Sequence, residues 1–261
     1  MRTRTALVTV AVAATAASAQ LGNLGLSSTC LSAASSLLTG DFATCASFGS
    51  LLSLFTSSGS IVDPIDSWLD SVCQQANCST ETLNNASSVI QNGCSSDSSV
   101  LVSTVQTVVE NWNDVKQGLC LEYSSNSTFC VTDILTKVQN ATGSDLSFST
   151  LSNFDASTFS QIPSSAVCSD CSHALVSKFA PIFGANDTST ITGSIADTCG
   201  SEFLDGQVPS TVVEASNSSS SNNGSSAVDS TPLNGAGALG MGAAKVAGAA
   251  VLAAAGLAVL A

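Results

Sequence analysis

The sequence is poor in positive charge, in histidine and in aromatic side chains. Its 261 residues include six Lys plus Arg, one His, two Trp and one Tyr, and only 10% of them are charged. An ordinary soluble domain has about 25% charged residues. Proteins that bind nucleic acid need a basic surface to neutralise phosphates, so that class of partner is excluded. A single histidine also excludes zinc sites built on several His ligands, and we predict no metal and no cofactor.

Cysteine, by contrast, is plentiful. An even number of cysteines in a secreted chain predicts a disulfide framework, but the spacing does not determine which cysteines pair. The one pair that we expect from proximity is Cys120 with Cys130, across a polar loop between two predicted helices. The ten cysteines expected to form disulfides are Cys30, Cys45, Cys73, Cys78, Cys94, Cys120, Cys130, Cys168, Cys171 and Cys199.

The first 19 residues have the pattern of a secretory signal peptide. Arg2 and Arg4 precede an apolar run over 6–14, and Ala17-Ser18-Ala19 is a small-x-small cleavage signal. This pattern predicts cleavage after Ala19, so that the mature chain begins at Gln20. The alternative is a membrane anchor, but the run has about half of the ~20 residues that a spanning helix needs.

The last residues have the pattern of a GPI-attachment signal. Every residue from Val246 to Ala261 is Ala, Val, Leu or Gly, and the small triplet Asn234-Gly235-Ala236 precedes it by a short spacer. A small attachment triplet, a spacer of about 8–12 residues and an apolar tail of about 10–20 residues define such signals. We predict attachment at Asn234, with Asn223 as the alternative. A short tail anchor or a single-pass helix is the other interpretation of the tail.

Removing these ends defines the predicted organisation of the chain. We expect a signal peptide over 1–19, a cysteine-rich domain over 20–206, a Ser/Asn-rich stalk over 207–234 and an attachment propeptide over 235–261. The stalk has too few large apolar residues to offset its ordering entropy, so we predict that it is disordered. The mature part keeps three lysines against nineteen acidic residues, a formal charge of −16.

Within the domain, apolar residues recur at helical spacing, and no alternating strand pattern competes with them. We therefore predict an all-α, multi-helix domain stapled by disulfides. Asp63 is expected to cap the first of the clear helices, one residue before Pro64, and Pro181 is expected to interrupt the last. A weaker pattern lies at Leu51, Leu52, Leu54 and Phe55. The four clear apolar faces are Ile65, Trp68, Leu69 and Val72; Leu101, Val105, Val108, Trp112, Val115 and Leu119; Val131, Ile134, Leu135 and Val138; and Leu175, Val176, Phe179, Ile182 and Phe183.

Three features resemble catalytic or metal sites, and each has a structural interpretation that we favour. Cys168 and Cys171 form a C-x-x-C motif, but no βαβ pattern surrounds it, so two structural disulfides are expected rather than a redox pair. His173 follows closely, and a surface or capping role is expected. Asp66 and Asp70 share a helical face, and the helix dipole explains an acid in a first turn. We predict no catalytic residue and no enzyme.

Seven N-x-S/T sequons lie in the mature region, and each predicts a surface position in a secreted chain. The sequon at Asn77 is the weakest, because its middle residue is Cys78 and disulfide formation competes with glycosylation. The seven asparagines are Asn77, Asn85, Asn126, Asn140, Asn186, Asn217 and Asn223.

Three segments carry a resemblance to a known group of proteins: WLDSVCQQANCSTETL, CLEYSSNSTFCVTDIL and CSDCSHAL. In these segments the chain resembles an uncharacterised family of cysteine-rich, secreted and often GPI-anchored proteins of fungi. The resemblance implies a helical fold and a fungal cell-surface address, and it supplies no catalytic residues. The cysteines are spread more widely than in the compact eight-cysteine haem-binding proteins of fungal surfaces, so haem binding is not expected.

Together these patterns lead us to expect a GPI-anchored glycoprotein of the plasma membrane or cell wall with a structural or interaction role. Its expected partners are the membrane, through the anchor, and a wall polysaccharide or surface proteins. The alternative is an extracellular carrier that holds an apolar small molecule, a lipid or sterol, between helices.

Overall fold

The computed structural model of the chain describes residues 26–51, 59–97, 100–147, 150 and 162–215. This part of the chain is mostly helical, which confirms the predicted fold class, and a short two-stranded ribbon is added to the helices. In chain order the elements are α1 (Ser28–Leu37), α2 (Asp41–Cys45), α3 (Val62–Gln74), α4 (Thr80–Gly93), α5 (Val100–Glu110), α6 (Trp112–Leu119), β1 (Leu121–Tyr123), α7 (Cys130–Thr142), α8 (Ser164–Val167), α9 (Asp170–Cys199), a 3₁₀ helix (Ser201–Leu204) and β2 (Val212–Glu214).

Most described residues of the predicted apolar faces are buried in the core. Ile65, Trp68, Leu69 and Val72 of α3 are buried. The long stripe after residue 100 spans two helices rather than one, because the helix breaks at Asn111. The side chain of Asn111 donates to the carbonyl of Thr107 (2.8 Å), a local bond that competes with helix propagation. The stripe continues on the same side of the break and is buried at Val108, Trp112, Val115 and Leu119.

Two features near helix ends differ from the predictions. Helix α3 begins at Val62, so Asp63 lies in the first turn, and the Ser60 hydroxyl accepts from the Val62 amide (3.2 Å). Helical backbone continues through Pro181 in α9, so the proline does not end that element. The weak pattern after Leu51 lies outside the described residues except for Leu51 itself, which is buried.

Both tryptophans are buried, and they are held differently. The indole N–H of Trp68 donates to the carbonyl of Ala46 (3.0 Å). The indole N–H of Trp112 has no hydrogen-bond acceptor in the part of the chain that is described. The Trp112 ring instead meets Phe42 and Phe48 edge to face, at centroid distances of 5.4 and 5.8 Å. Such ring pairs add about 0.5–1.5 kcal/mol beyond their buried area.

All ten cysteines are paired, which confirms the predicted framework. The expected pair Cys120–Cys130 is wrong, because these two cysteines join different helices. Cys120 follows α6 and is bonded to α3, whereas Cys130 begins α7 and is bonded to α9. The five disulfides are Cys30–Cys94, Cys45–Cys78, Cys73–Cys120, Cys130–Cys171 and Cys168–Cys199.

The helical segment α9 is not one straight helix, because its two ends lie side by side. A straight helix of 30 residues would be about 45 Å long. The Cα atoms of Cys168 and Cys199, which lie at its two ends, are only 5.3 Å apart. The chain must therefore reverse direction between these cysteines, and the disulfide fastens the two arms together at their open end.

The ribbon corrects the predicted boundary between domain and stalk. Strand β2 pairs antiparallel with β1, with Leu121 opposite Glu214 and Tyr123 opposite Val212. Val212 is buried, and Ala215 donates its amide to the carbonyl of Cys120 (2.8 Å). Residues 207–215, assigned to the stalk from their composition, are therefore part of the domain. The predicted stalk beyond 215 lies outside the described residues.

Candidate functional site

The segment Cys168–His173 is the most densely connected of the predicted sites. Cys171 is bonded to Cys130 and so joins α9 to α7, whereas Cys168 closes the two arms of α9 through Cys199. Ser169 caps α9 by accepting from the Ser172 amide (3.3 Å). Each cysteine of the C-x-x-C motif has a different, distant partner, which confirms the structural interpretation of the motif and leaves no dithiol for redox exchange.

His173 is more than a surface residue. Its Nε2 atom lies 2.8 Å from Oδ1 of Asp205, and its side chain is only 14% exposed. The imidazole also stacks on Phe203, with centroids 5.0 Å apart and an angle of 26° between the rings. The one histidine of the chain therefore holds the residues that follow α9 against the first turns of α9.

Asp205 receives a second hydrogen bond from its own segment. The amide of Gln207 donates to the same Oδ1 atom (2.7 Å). This backbone bond, and then the bond with His173, lower the pKa of Asp205 below its usual value. Gly206 between them has φ +73°, a left-handed conformation that glycine adopts without strain. The carboxylate thus fixes a tight turn and fastens it to α9.

Further contacts continue along the segment to β2. The Ser177 hydroxyl donates to the carbonyl of Gln207 (2.8 Å), and the Thr211 hydroxyl donates to Asp170 (2.5 Å). The amide of Ser124, just after β1, donates to the carbonyl of Thr211 (2.9 Å). We call this set of contacts, which holds residues 201–215 to α9 and β1, the C-terminal clasp.

A buried lysine, Lys116, interacts with the end of α3 and with the ribbon. Lys116 of α6 is only 4% exposed, and its ammonium donates to the backbone carbonyl of Gln75. Burial lowers the pKa of Lys116, and the negative charge of Glu214 in β2 partly opposes this effect. The lysine is therefore oriented by a carbonyl at the end of α3 and attracted by the last residue of the ribbon.

The start of the described chain is also fastened by an aspartate. The amide of Ser27 donates to Oδ1 of Asp97 (2.8 Å), and the Ser27 hydroxyl bonds the other carboxylate oxygen. These bonds lower the pKa of Asp97. The Ser27 hydroxyl also caps α1 by accepting from the amide of Cys30 (3.2 Å), which is itself disulfide-bonded to Cys94.

The remaining candidates are not brought together. Asp66 accepts from the Thr132 hydroxyl of α7 (2.7 Å), whereas Asp70 is exposed one turn further along α3. The acid in the first turn of this helix is Asp63, not Asp66. Within the described ranges, no group of three His, Cys, Asp or Glu residues is arranged to hold a metal ion, and no helix is long and apolar enough to cross a membrane.

The sequon asparagines that the structure describes are exposed, as predicted for Asn77, Asn85, Asn126 and Asn140. Asn186 lies in α9, but its side chain is outside the description. The cleavage site after Ala19 and the four residues Gln20, Asn217, Asn223 and Asn234 lie outside the described residues.

No comparison identifies a relative. No protein-family model matches the chain, and no curated protein or solved structure is similar to it.

The clasp was missed in the sequence although it left a signal. Asp205-Gly206 is a turn dipeptide, and Val212-Val213 is a β-branched pair, the composition of a short strand. Both were outweighed by the Ser- and Asn-rich composition of the residues that follow. The segment 201–215 is thus held to the domain up to the last described residue.

Proposed function

We propose that the protein is a cell-surface glycoprotein, attached by a GPI anchor to the plasma membrane or cell wall of a fungus, with a structural or interaction role. The observation that carries the proposal is the combination of five disulfides with the C-terminal clasp. Disulfides of this number are typical of extracellular or secreted proteins. The clasp fastens the last described residues to the domain directly before the predicted stalk.

The geometry of the clasp suits a domain that is held from its C-terminal end. Force or motion transmitted through an anchor would reach Ala215 first, and Ala215 is bonded to the carbonyl of Cys120. Cys120 is in turn joined by a disulfide to Cys73 of α3. The last described residue is therefore tied by a hydrogen bond to a cysteine of the disulfide framework.

The surface supports a role in the extracellular space. Of the three lysines of the predicted mature chain, Lys116 is buried and Lys137 is paired with Asp133 (2.6 Å). The chain carries nineteen acidic residues against these three lysines, so its net charge is strongly negative. Such a charge repels anionic lipid headgroups and phosphates, which disfavours attachment to a membrane by adsorption and supports an anchor in the predicted tail.

The anchor is tested on intact cells that express the full chain with an epitope tag inserted within the serine run at 218–221. We expect phosphatidylinositol-specific phospholipase, or a β-glucanase if the protein has been transferred to the wall, to release the tagged domain. A Leu252→Asp variant, with a charge in the tail, should instead fail to be anchored, whereas Thr231→Asp in the stalk should behave as the wild type. Retention after both enzymes, with the Val246–Ala261 tail still present, would contradict the proposal.

A further inference from the structure

The sequons at Asn126 and Asn77 occupy contrasting surroundings. Both asparagines are exposed, so exposure alone does not distinguish them. What differs is how the two following residues of each sequon are held. From this contrast we propose that Asn126 carries an N-linked glycan and that the Cys45–Cys78 disulfide keeps Asn77 unmodified. The inference rests on the proposed function, because both events require passage through the secretory pathway.

Asn126 lies in a fixed turn that projects between β1 and α7. The amide of Tyr123 donates to the carbonyl of Thr128 (3.0 Å), and the amide of Ser127 donates to the carbonyl of Tyr123 (2.9 Å). Ser127 has φ +54°, a left-handed conformation that places the sequon at the point where the chain reverses. Ser124, Ser125 and Ser127 are all exposed, so a glycan here displaces no packed side chain.

The side chain of Asn126 is already oriented for modification. Its Oδ1 atom accepts from the amide of Thr128 (3.1 Å), which brings the asparagine against the threonine that completes the sequon. A glycan is attached through Nδ2, the other terminal atom. Among the described residues Nδ2 of Asn126 makes no hydrogen bond, and the Asx turn is retained when Nδ2 is substituted, because it uses only Oδ1.

The sequon at Asn77 is held at each of its two following residues. Cys78 is buried and bonded to Cys45, and both of its backbone groups are bonded to one side chain. The Cys78 amide donates to Oδ1 of Asn113 (3.0 Å), and Nδ2 of Asn113 donates to the Cys78 carbonyl (3.1 Å). Ser79, which supplies the sequon hydroxyl, accepts from the Thr82 amide (3.1 Å) as the cap of α4.

A glycosyltransferase must bind the sequon as an accessible peptide with a free hydroxyl two residues after the asparagine. Once Cys45 and Cys78 are joined, Cys78 is buried with both backbone groups paired, and the Ser79 hydroxyl accepts the cap bond of α4. Cys45 precedes Cys78 by only 33 residues, so the disulfide can form while the chain is still being translocated. Folding therefore removes Asn77 from the substrates of the enzyme and leaves Asn126 among them.

The test uses the full chain expressed in a eukaryotic secretory host and captured from whole cells. Peptide-N-glycosidase converts a glycosylated asparagine to aspartate, so mass spectrometry of digests in heavy-oxygen water gives the occupancy of each sequon. We expect conversion at Asn126 in most molecules and almost none at Asn77. Thr128→Ala, which keeps the Thr128 amide, should abolish conversion at Asn126, and Ser125→Ala should leave it unchanged.

The second half of the inference is tested with Cys45→Ser combined with Cys78→Ser. This variant retains an Asn-Ser-Ser sequon but lacks the disulfide, and occupancy at Asn77 should rise several-fold. Glycan transfer precedes export, so the occupancy is also measurable on molecules that fail to fold and stay in the cell. Equal occupancy of Asn77 with and without the disulfide, or an unmodified Asn126 beside other modified sequons, would overturn the inference alone. No glycan at any sequon would overturn the proposed function as well.

Discussion

At the scale of single residues, the few cations and the histidine are used inside the domain. Lys116 donates to a carbonyl at the end of α3 and is attracted by the charge of Glu214, and His173 holds Asp205. The sequence shows that such residues are rare, but it does not show that Lys116 and His173 both interact with residues of the C-terminal clasp. The sequence gives no sign of this contact of His173. Its partner Asp205 lies 32 positions later, in a segment whose fold was not predicted.

Asp205 gives the clasp a dependence on pH. Since its pKa is lowered in the folded chain, the carboxylate contributes stability above the usual carboxyl pKa, and this contribution is lost as pH falls through the lowered value. Asp205→Asn should therefore increase hydrogen exchange of the β2 amides several-fold at neutral pH. The difference from the wild type should vanish in acid, where Asp205 is protonated in both states.

The matched control for this change is Glu202→Gln, which removes the same charge from an exposed residue of the same segment. We expect it to leave exchange in β2 close to that of the wild type. If both variants exchange alike at neutral pH, net charge rather than the hydrogen bonds of Asp205 holds the segment. Hydrogen exchange followed by mass spectrometry measures both variants in one experiment.

At the scale of elements, helix faces were predictable and helix boundaries were not. Buried residues of α3 and α7 match the predicted stripes because apolar periodicity reports directly which side of a helix is buried. The apolar stripe keeps the same phase across the break at Asn111, so the break could not be predicted from the stripe. Strands of three residues are too short to show an alternating pattern, which explains why β1 and β2 were not predicted.

Helices α1 and α4 approach each other closely. The Cα atoms of Cys30 and Cys94 are 4.3 Å apart, and Gly93 faces Ala33 beside them. A Cβ atom on Gly93 would meet the Cβ of Ala33 at less than any normal contact distance. Gly93→Ala should therefore lower the free energy of unfolding by about 1–3 kcal/mol through overpacking.

The control for Gly93→Ala is Gly49→Ala, because a Cβ atom at Gly49 meets no atom within 4 Å. Its effect on stability should be small. Urea unfolding followed by tryptophan fluorescence measures both changes, since Trp68 and Trp112 are buried in the folded domain. Equal destabilisation by the two substitutions would show that glycine flexibility, and not the contact between α1 and α4, accounts for the loss.

At the scale of the whole molecule, covalent and polar ties close the described domain at both ends. Ser27 is held by Asp97 at the start, and Asp205 with His173 begins the clasp at the end. The sequence predicted that ten cysteines form a framework but not its pattern, because the pairs are 31 to 64 residues apart. Proximity in the sequence favoured Cys120–Cys130, whereas packing places each of these cysteines against a different helix.

The same pairing accounts for the candidate site. Two neighbouring cysteines of the C-x-x-C motif were predicted to be structural, and their partners turn out to define the fold-back of α9 and its attachment to α7. The clasp depends on that fold-back, because it returns the chain to the first turns of α9, where His173 and Asp170 lie. A tie of this kind is formed by tertiary packing and leaves only weak local signals in the sequence.

The disulfide map of the secreted protein is the decisive test of the fold-back of α9. Proteolysis without reduction, followed by mass spectrometry of the linked peptides, identifies each pair in the natively folded chain. We expect the bonds Cys168–Cys199 and Cys130–Cys171, together with the three other pairs of the structure and no free thiol. A Cys168–Cys171 or Cys120–Cys130 bond in the folded protein would contradict the fold-back of α9 and the clasp that is built on it.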